Sequence, residues 1–467
     1  MTRTTCIDPE ILARHDRPGP RYTSYPTAPQ FTEDFGADEL RRQILRSNAE
    51  PIPRALSIYV HVPYCFMPCF YCGCNRIITR DTRKGERYLE HLLLEIEQVS
   101  PLFDRDRDVL QVHLGGGTPN FLRPSQLGHL IESLSRHFHF SSRSDRDFSI
   151  EIDPRNVEPG DIRELAAIGL NRASLGVQDF DPDVQKAVNR LQSVEQTLEV
   201  IEACRDSGFR SVNVDLIYGL PKQSLAGFEK TLDTVVEARP DRLAVYGYAH
   251  LPHLFKAQRP LDASQLPDAA TRLALLRLAI ERLTDAGYRY IGLDHFALPS
   301  DDLALAQASG SLHRNFMGYT THAECDLVGL GVSSISHIGD SFSQNPRDVP
   351  AWEVAVESGR LPVWRGLQMD PDDRLRADVI QQLMCAGRID VGQVEHRYDI
   401  DFREYFAATW PELERLARED LLTIGPDGIV ATSQGRYLLR IIAMCFDRYL
   451  QQPPCTTRGP TSYSKAI

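Results

Sequence analysis

From about residue 56 the chain alternates short apolar runs with longer stretches whose apolar residues recur near every 3.6 positions. The apolar runs predict strands at "LSIYVHV" (56–62), "VLQVHLG" (109–115), "DFSIEID" (147–153), "RASLGVQ" (172–178), "SVNVDLIYG" (211–219) and "RLAVYGYA" (242–249), with a further strand at "YRYIGLDHFA" (288–297). The periodic stretches between them predict helices, among them "RYLEHLLLEIEQVS", "PSQLGHLIESLSRHF", "PGDIRELAAIG", "VEQTLEVIEACRDSG" and "LAGFEKTLDTVVEA". A strand–helix alternation of this length implies parallel strands joined by crossovers. Either a complete or partial β/α barrel or an open doubly wound sheet satisfies it, and both put chemistry at the C-terminal ends of the strands.

The two flanks read differently. Residues 1–54 form a polar, proline-rich lead in which "RPGPRYTSYPTAPQF" (17–31) predicts extended or turn structure. Beyond about residue 346 the alternation stops. There "DPDDRLRADVIQQLMCAGRID", "FREYFAATWPELERLAREDLLTI" and "SQGRYLLRIIAMCFDRYLQQ" predict a mainly helical C-terminal domain over 346–467, with a strand pair near "LLTIGPDGIVATS". The expected organisation is therefore a lead (1–54), an α/β catalytic unit (55–345) and that helical domain.

Residues able to do chemistry gather just after the strands. The first strand leads into "PYCFMPCFYCGC", the second into "GGGTPNF", the third into "EIDPRN", the fourth into "GVQDFD", the fifth into "DLIYGLPKQ" and the sixth into "YAHLP". Cys65, Cys69, Cys72 and Cys74 fall within one short loop, whereas the other cysteines (Cys6, Cys204, Cys325, Cys385, Cys445 and Cys455) are scattered and read as core or incidental thiols. Thiolates suit zinc or iron–sulfur clusters. Structural zinc sites usually join two separated cysteine pairs, and no second pair occurs here. Cys72 and Cys74 are separated by Gly73 alone, which favours three ligands, Cys65, Cys69 and Cys72, with one metal position left open.

Composition and charge narrow the class. The 467 residues are 42% hydrophobic and 25% charged, so a large core is available. A net charge of −12 argues against a nucleic-acid binder. No apolar leader and no span of membrane length is visible, which predicts a cytoplasmic protein.

C-x₃-C-x₂-C after the first strand with "GGGTP" after the second resembles the radical S-adenosylmethionine (SAM) enzymes. "PRYTSYPTA", "CGCN", "SLGVQDF", "NVDLIYGLPKQ", "DRLAVYGYAHLP" and "HRNFMGYTT" narrow the likeness to the oxygen-independent coproporphyrinogen III oxidases, over nearly the whole chain. The resemblance implies a partial (β/α) barrel with an N-terminal arm folded over the site and a mainly helical C-terminal domain. It implies a 4Fe–4S cluster on Cys65, Cys69 and Cys72. Two SAM molecules are implied as well, one contacted by Tyr59, Gly116, Glu151 and Ile335, the other by Tyr71, Gly117, Thr118, Gln178, Arg190, Asp215 and Ala249. Cys74 is implied to be needed for activity without binding the cluster, and Tyr59 and His61 to stand close to the reaction, with Tyr22 and Tyr25 as further pocket residues.

The implied reaction converts two propionates of coproporphyrinogen III to vinyl groups, with an external reductant for the cluster and an electron acceptor. The substrate's four carboxylates call for a basic lining, for which Arg17, Arg21, Lys256, Arg259 and Arg314 are the candidates. A monomer is expected. The alternatives are a two-SAM methyltransferase or cyclopropanating enzyme, a haem-trafficking protein on the same scaffold, and a zinc-stabilised protein. The lead and Cys74 favour the oxidase.

Overall fold

The computed structural model describes residues 9–426, 428–451 and 463–465. The arm is less extended than its prolines suggest. It holds helices α1 (Pro9–His15) and α2 (Ala37–Asn48), with a 3₁₀ turn at Ala28–Gln30 and otherwise irregular chain between them. In α2 the buried Leu40, Gln43, Ile44 and Ser47 share one face at helical spacing, a pattern the proline-rich composition of the lead masks.

The predicted alternation then appears in order: β1 (Ala55–Val62), α3 (Arg83–Val99), β2 (Asp108–Gly116), α4 (Pro124–His137), β3 (Asp147–Ile152), α5 (Pro159–Ala167) and β4 (Arg172–Gln178). It continues with α6 (Pro182–Ala187), α7 (Val194–Asp206), β5 (Ser211–Tyr218), α8 (Leu225–Ala238), β6 (Arg242–Gly247) and α9 (Ala269–Asp285). Local chemistry fixes where these helices begin. Ser193 Oγ accepts from Gln196 N at 3.0 Å, Ser224 Oγ from Gly227 N at 3.1 Å and Asp268 Oδ1 from Thr271 N at 2.7 Å, each satisfying a donor that the first turn leaves open.

Strands β1 to β6 pair in parallel, each with the next. Val60, Val112, Ile150, Leu175, Val214 and Leu243 are among their buried residues, and several strands are buried on both faces, as parallel strands are. The 288–297 stretch is a hairpin rather than one strand. β7 (Arg289–Gly292) turns through Gly292 and Leu293, both at positive φ, into β8 (His295–Ala297), which pairs antiparallel with β6. A second hairpin, β9 (His313–Asn315) and β10 (Gly318–Thr320), precedes β11 (Cys325–Leu330). β11 lies parallel beside β1 and was not among the predicted strands. From there β12 (Ile335–Ile338), β13 (Ser341–Gln344) and β14 (Arg365–Gln368) run on antiparallel.

The main sheet therefore has the order β7-β8-β6-β5-β4-β3-β2-β1-β11-β12-β13-β14. Its end strands do not pair with each other, so the barrel is open. The sheet also extends past residue 345, because β14 closes its edge from 365–368.

Beyond β14 the chain is mainly helical, with Pro371–Ala386 the longest helix there. The 402–424 stretch breaks into helices Phe402–Tyr405 and Trp410–Arg418 before a short strand. A small sheet joins β15 (Arg388–Ile389), β16 (Leu422–Gly425) and β17 (Gly428–Ala431), which contains the expected strand pair. Within the predicted 433–452 helix, the described residues 433–451 form a series of short helical turns rather than one helix. The arm crosses to this region. Tyr22 Oη donates to Asp447 Oδ2 at 3.0 Å, and Tyr25 Oη accepts from Arg448 N at 3.1 Å. Cys204, Cys385 and Cys445 are buried, as core thiols should be, and Cys325 is half-buried. Cys6 and Cys455 lie outside the described residues. Among the described residues no helix is long and apolar enough to cross a membrane.

Candidate active site

The C-terminal ends of β1 to β6 open onto one cavity of about 280 Å³. The loop after β1 brings Cys65, Cys69, Cys72 and Cys74 to it, and β2 ends there with Gly116, Gly117 and Thr118. β3 contributes Glu151 and, just past its end, Asp153 and Arg155; β4 contributes Gly176 and Gln178, β5 Asp215 and β6 Tyr246.

The thiols sit among donors. Thr118 Oγ1 donates to Cys65 Sγ at 3.2 Å, Arg190 Nη1 lies 3.6 Å from Cys69 Sγ, and Arg155 Nη2 lies 3.7 Å from it. Arg190 also donates to Gly176 O and bonds Asp153 Oδ1 at 3.3 Å, while Arg155 Nη2 holds Asp153 Oδ2 at 2.6 Å. Burial alone would push the Asp153 carboxyl up, but Arg190 and Arg155 outweigh it and hold it below the usual range. As free thiols the cysteines differ. A bond with Cys74 and the nearby Arg76 bring Cys72 down to about 6, whereas burial pushes Cys65 up to about 11.

This donor set fits an iron–sulfur cluster. Cys65, Cys69 and Cys72 would hold the cluster, with Thr118 directed at the sulfur of Cys65 and Arg155 and Arg190 at that of Cys69. Among the described residues no three His, Cys, Asp or Glu side chains are grouped to hold a single metal ion, which is what a structural zinc site would require. The glycine run has a steric reason. A Cβ on Gly117 would stand 2.9 Å from the backbone of Pro63 and Tyr64, and one on Gly116, whose φ is +117°, would stand 2.7 Å from the His61 ring.

A second cavity, about 390 Å³, adjoins the first and shares Cys74, Gly116 and Glu151 with it. Tyr59, His61, His113, Asn75 and Ile335 also line it. His61 Nε2 donates to Asn75 O at 2.9 Å, which leaves Nδ1 to accept from Tyr59 Oη at 3.1 Å. Burial lowers the His61 pKa, so the ring is neutral. Glu151 Oε2 accepts from Gly116 N at 3.1 Å and Oε1 faces His113 Nε2 at 3.3 Å, so the carboxylate is positioned at the border of both cavities. Asp215, held by Asn213 at 2.8 Å and Ser174 at 3.0 Å, is pushed up to about 6 by burial, with Glu151 adding to the rise. Gln178 stands at φ +71°, and its buried Oε1 has no hydrogen-bond partner.

A family model described as "Radical SAM superfamily" matches residues 59–235, and one described as "HemN C-terminal domain" matches residues 369–438. An oxygen-independent coproporphyrinogen III oxidase of Pseudomonas aeruginosa is 49% identical over 450 residues, covering 96% of this chain and 97% of the relative. This chain belongs to the oxygen-independent coproporphyrinogen III oxidase family. The family member of Escherichia coli is 45% identical, covering 95% of this chain and 96% of its own. The solved structure described as "Coproporphyrinogen III oxidase (HemN) from Escherichia coli is a Radical SAM enzyme" superposes with a TM-score of 0.90 at 44% identity, covering 95% of this chain and 100% of that one. Membership in a radical SAM family brings with it a 4Fe–4S cluster and SAM.

Most of the anticipated residues of the oxidase site come together on these two cavities. Ala249 does not. It lines a third cavity, although Gln258 Nε2 ties its carbonyl, at 3.1 Å, and that of Tyr71, at 2.9 Å, to one amide. Of the basic candidates, Arg21 reaches the barrel mouth, bonded to Asp294 and 5.4 Å over the Tyr246 ring. Arg314 is buried. Arg17 instead pairs with Glu412 at 3.8 Å in the C-terminal region, and Lys256 and Arg259 point outward as exposed residues, so these three are not brought to the site. Lys256 and Arg259 flank the buried Gln258 in a single helical turn, which turns them to solvent. Arg155, Asp153 and Tyr246 were not singled out from the sequence. Their signal was position, since each lies at or just after the C-terminal end of a strand.

Proposed function

We propose that this chain converts two propionate side chains of coproporphyrinogen III to vinyl groups without oxygen, giving protoporphyrinogen IX. The carrying observation is that the ends of six consecutive strands place three thiols, their sulfur-directed donors and a glycine cradle on one cavity. The cluster and SAM, when bound, supply a reducing electron and a radical able to take hydrogen from carbon. At each propionate the β-carbon loses a hydrogen atom, the carboxylate leaves as CO₂, and one electron passes to an external acceptor.

The chain's own residues orient and shield. Arg190 and Arg155 offer positive charge beside Cys69, and Glu151 presents a carboxylate where the two cavities meet. Binding of two SAM molecules is part of the proposal. The positions assigned to one of them, Tyr59, Gly116, Glu151 and Ile335, line the second cavity. Those assigned to the other, apart from Ala249, line the cysteine cavity. Cys74 borders both, which supports a role next to the reacting groups rather than as a ligand. Tyr59 and the neutral His61 form a hydrogen-bonded pair that fixes the wall behind it. Arg21 of the arm bonds Asp294, and Tyr22 and Tyr25 tie the arm to Asp447 and Arg448, which supports the arm as a cover that limits water. The protein is read as a cytoplasmic monomer.

The test is anaerobic: reconstitute iron and sulfide, reduce, add SAM and coproporphyrinogen III, and identify products by mass spectrometry. The expected result is protoporphyrinogen IX with two 5′-deoxyadenosines per product. SAM cleavage without a vinyl product would assign another substrate, and a loaded cluster with no SAM cleavage would overturn the reading.

A further inference from the structure

Helix α3 lines neither cavity of the site, yet two of its side chains hold a wall of the second one. Tyr88 and Glu95 stand seven positions apart, on one face of α3, and are 0% and 1% exposed. Glu95 Oε2 accepts from Gly331 N at 2.7 Å and from Trp352 Nε1 at 3.1 Å, and Oε1 accepts from Asn345 Nδ2 at 2.7 Å. Tyr88 Oη accepts from Val332 N at 2.9 Å and donates to His61 O at 2.8 Å. Together they bind the turn that joins β11 to β12 and tie it to the end of β1. The turn is also held from its own side, since Asn345 Nδ2 and Ser334 Oγ donate to Gly331 O at 2.9 and 2.7 Å. Its backbone has positive φ at Gly331 (+87°) and Ser333 (+59°). A Cβ on Gly331 would stand 2.5 Å from Tyr88 Oη and 2.8 Å from His61 O, so the fit is close.

Keeping a carboxylate at this place is costly. Burial pushes the Glu95 carboxyl up to about 7 although all three neighbours donate to it, and the ionised form is the one that accepts at both oxygens. A buried charge adds little stability beyond what a well-packed apolar side chain would give. What it does supply is orientation. It draws donors from the turn, from Asn345 just past β13 and from Trp352 on the helix Val349–Glu357 to one point. The turn so fixed belongs to the site: Ser333, Ser334 and Ile335 line the second cavity, as does His61, whose carbonyl Tyr88 holds. Gly116 and Glu151 line the same cavity from β2 and β3.

We propose that Glu95 and Tyr88 are positioning residues for SAM in the second cavity: they fix the 331–335 segment against the end of β1 and so set the space that SAM enters. Neither touches SAM, and each acts through the turn. This inference rests on the assignment of one SAM to that cavity through Tyr59, Gly116, Glu151 and Ile335, and it adds two residues of α3 to the groups that determine its affinity.

The test uses the full-length protein with its cluster reconstituted and kept oxidised, so that SAM binds without being cleaved, and reads SAM affinity by equilibrium dialysis at pH 8. Glu95→Gln keeps the shape but gives up one acceptor oxygen, and the Kd for SAM is expected to rise by about tenfold, with iron content and cluster absorbance unchanged. Tyr88→Phe keeps the ring and removes both bonds of the hydroxyl, and a rise in the same direction is expected. In turnover the KM for SAM is expected to rise in both variants while the KM for the tetrapyrrole holds. Val379→Ala, a buried position in the Pro371–Ala386 helix, shows what lost stability alone does: a lower urea midpoint with wild-type SAM affinity. Wild-type SAM affinity in both α3 variants overturns the proposal, as does an equal loss of affinity in Val379→Ala. Ile335→Trp, which fills the second cavity directly, separates the two readings. If it weakens SAM while both α3 variants bind normally, the positioning role fails and the assignment of SAM to this cavity stands. If it binds SAM as the wild type does, that assignment fails, and the proposal with it.

Discussion

The cysteine cavity and the basic cavity lie side by side yet are built in opposite ways. Most of the first is walled by residues at or just past the ends of six consecutive parallel strands. The second takes Arg21 from the arm, Arg272 from α9, Arg440 from the C-terminal region and Lys465 from near the chain's end. The first is a consequence of local order repeated along a sheet. The second exists only after the two ends of the chain have met, where Gly19 N donates to Ser464 O at 3.0 Å. The cysteine loop is thus anchored by the strands around it, whereas the basic cavity depends on contacts between distant segments of the chain.

This contrast can be broken most sharply at the thiols. Replacing Cys65, Cys69 or Cys72 with serine is expected to abolish turnover and remove the cluster's absorbance and iron, while circular dichroism stays native. Gly116→Ala comes next. At φ +117° with a Cβ 2.7 Å from the His61 ring, it strains the backbone and crowds the cavity border, so SAM affinity measured by equilibrium dialysis is expected to fall by at least about tenfold. Arg190→Lys keeps the charge but loses the fork shared between Cys69 Sγ, Asp153 and Gly176 O. About 2 kcal/mol, or a thirtyfold fall in kcat/KM, is expected.

Acid tests two buried histidines that line neither cavity. His313, bonded to Gln381 at 2.7 Å between β9 and the Pro371–Ala386 helix, and His337, stacked on Phe342, are both brought down to about 4, chiefly by burial. An unfolded imidazole gains its proton near pH 6.5, so between 6.5 and 4 the unfolded chain binds more protons. Stability is therefore fully present above pH 6.5 and is lost as pH falls through that window, by up to roughly 3 kcal/mol per histidine. Urea midpoints at pH 7.5 and pH 5 measure this, and His337→Gln is expected to flatten the difference. The smallest effect is Tyr22→Phe, which leaves the buried Asp447 without its phenol donor. A loss of about 1 kcal/mol in stability is expected, with SAM cleavage unchanged and a raised KM for the tetrapyrrole as the arm loosens.

Much of this molecule is legible along the chain. The six strands and their intervening helices are set by periodicity, because a parallel strand buried on both faces and an amphipathic helix write distinct patterns. The cysteine spacing and the polar residues after each strand then locate the site, since parallel topology gathers strand ends at one edge. Other features are written only in three dimensions. Helix α2 is hidden by the prolines around it, and β11 is a short apolar run whose role depends on finding the open side of β1. The 288–297 stretch reads as one strand, but positive φ at Gly292 and Leu293 folds it into a hairpin. Charge is the least legible. Arg17, Lys256 and Arg259 look as basic as Arg21 and Arg314, yet one pairs with Glu412 and two face water.

By itself the sequence determined the six parallel strands with the helices between them, the loop that carries four cysteines and the edge of the sheet where polar residues gather. These depend on interactions within a few residues or between neighbouring strands, whose spacing the chain carries directly. Only the tertiary structure decided which arginines lose water together, that Ala249 faces a different cavity from its expected companions, and that the arm and the tail share a wall. A guanidinium becomes part of a site through its burial and through the groups that surround it there, and both depend on residues hundreds of positions away.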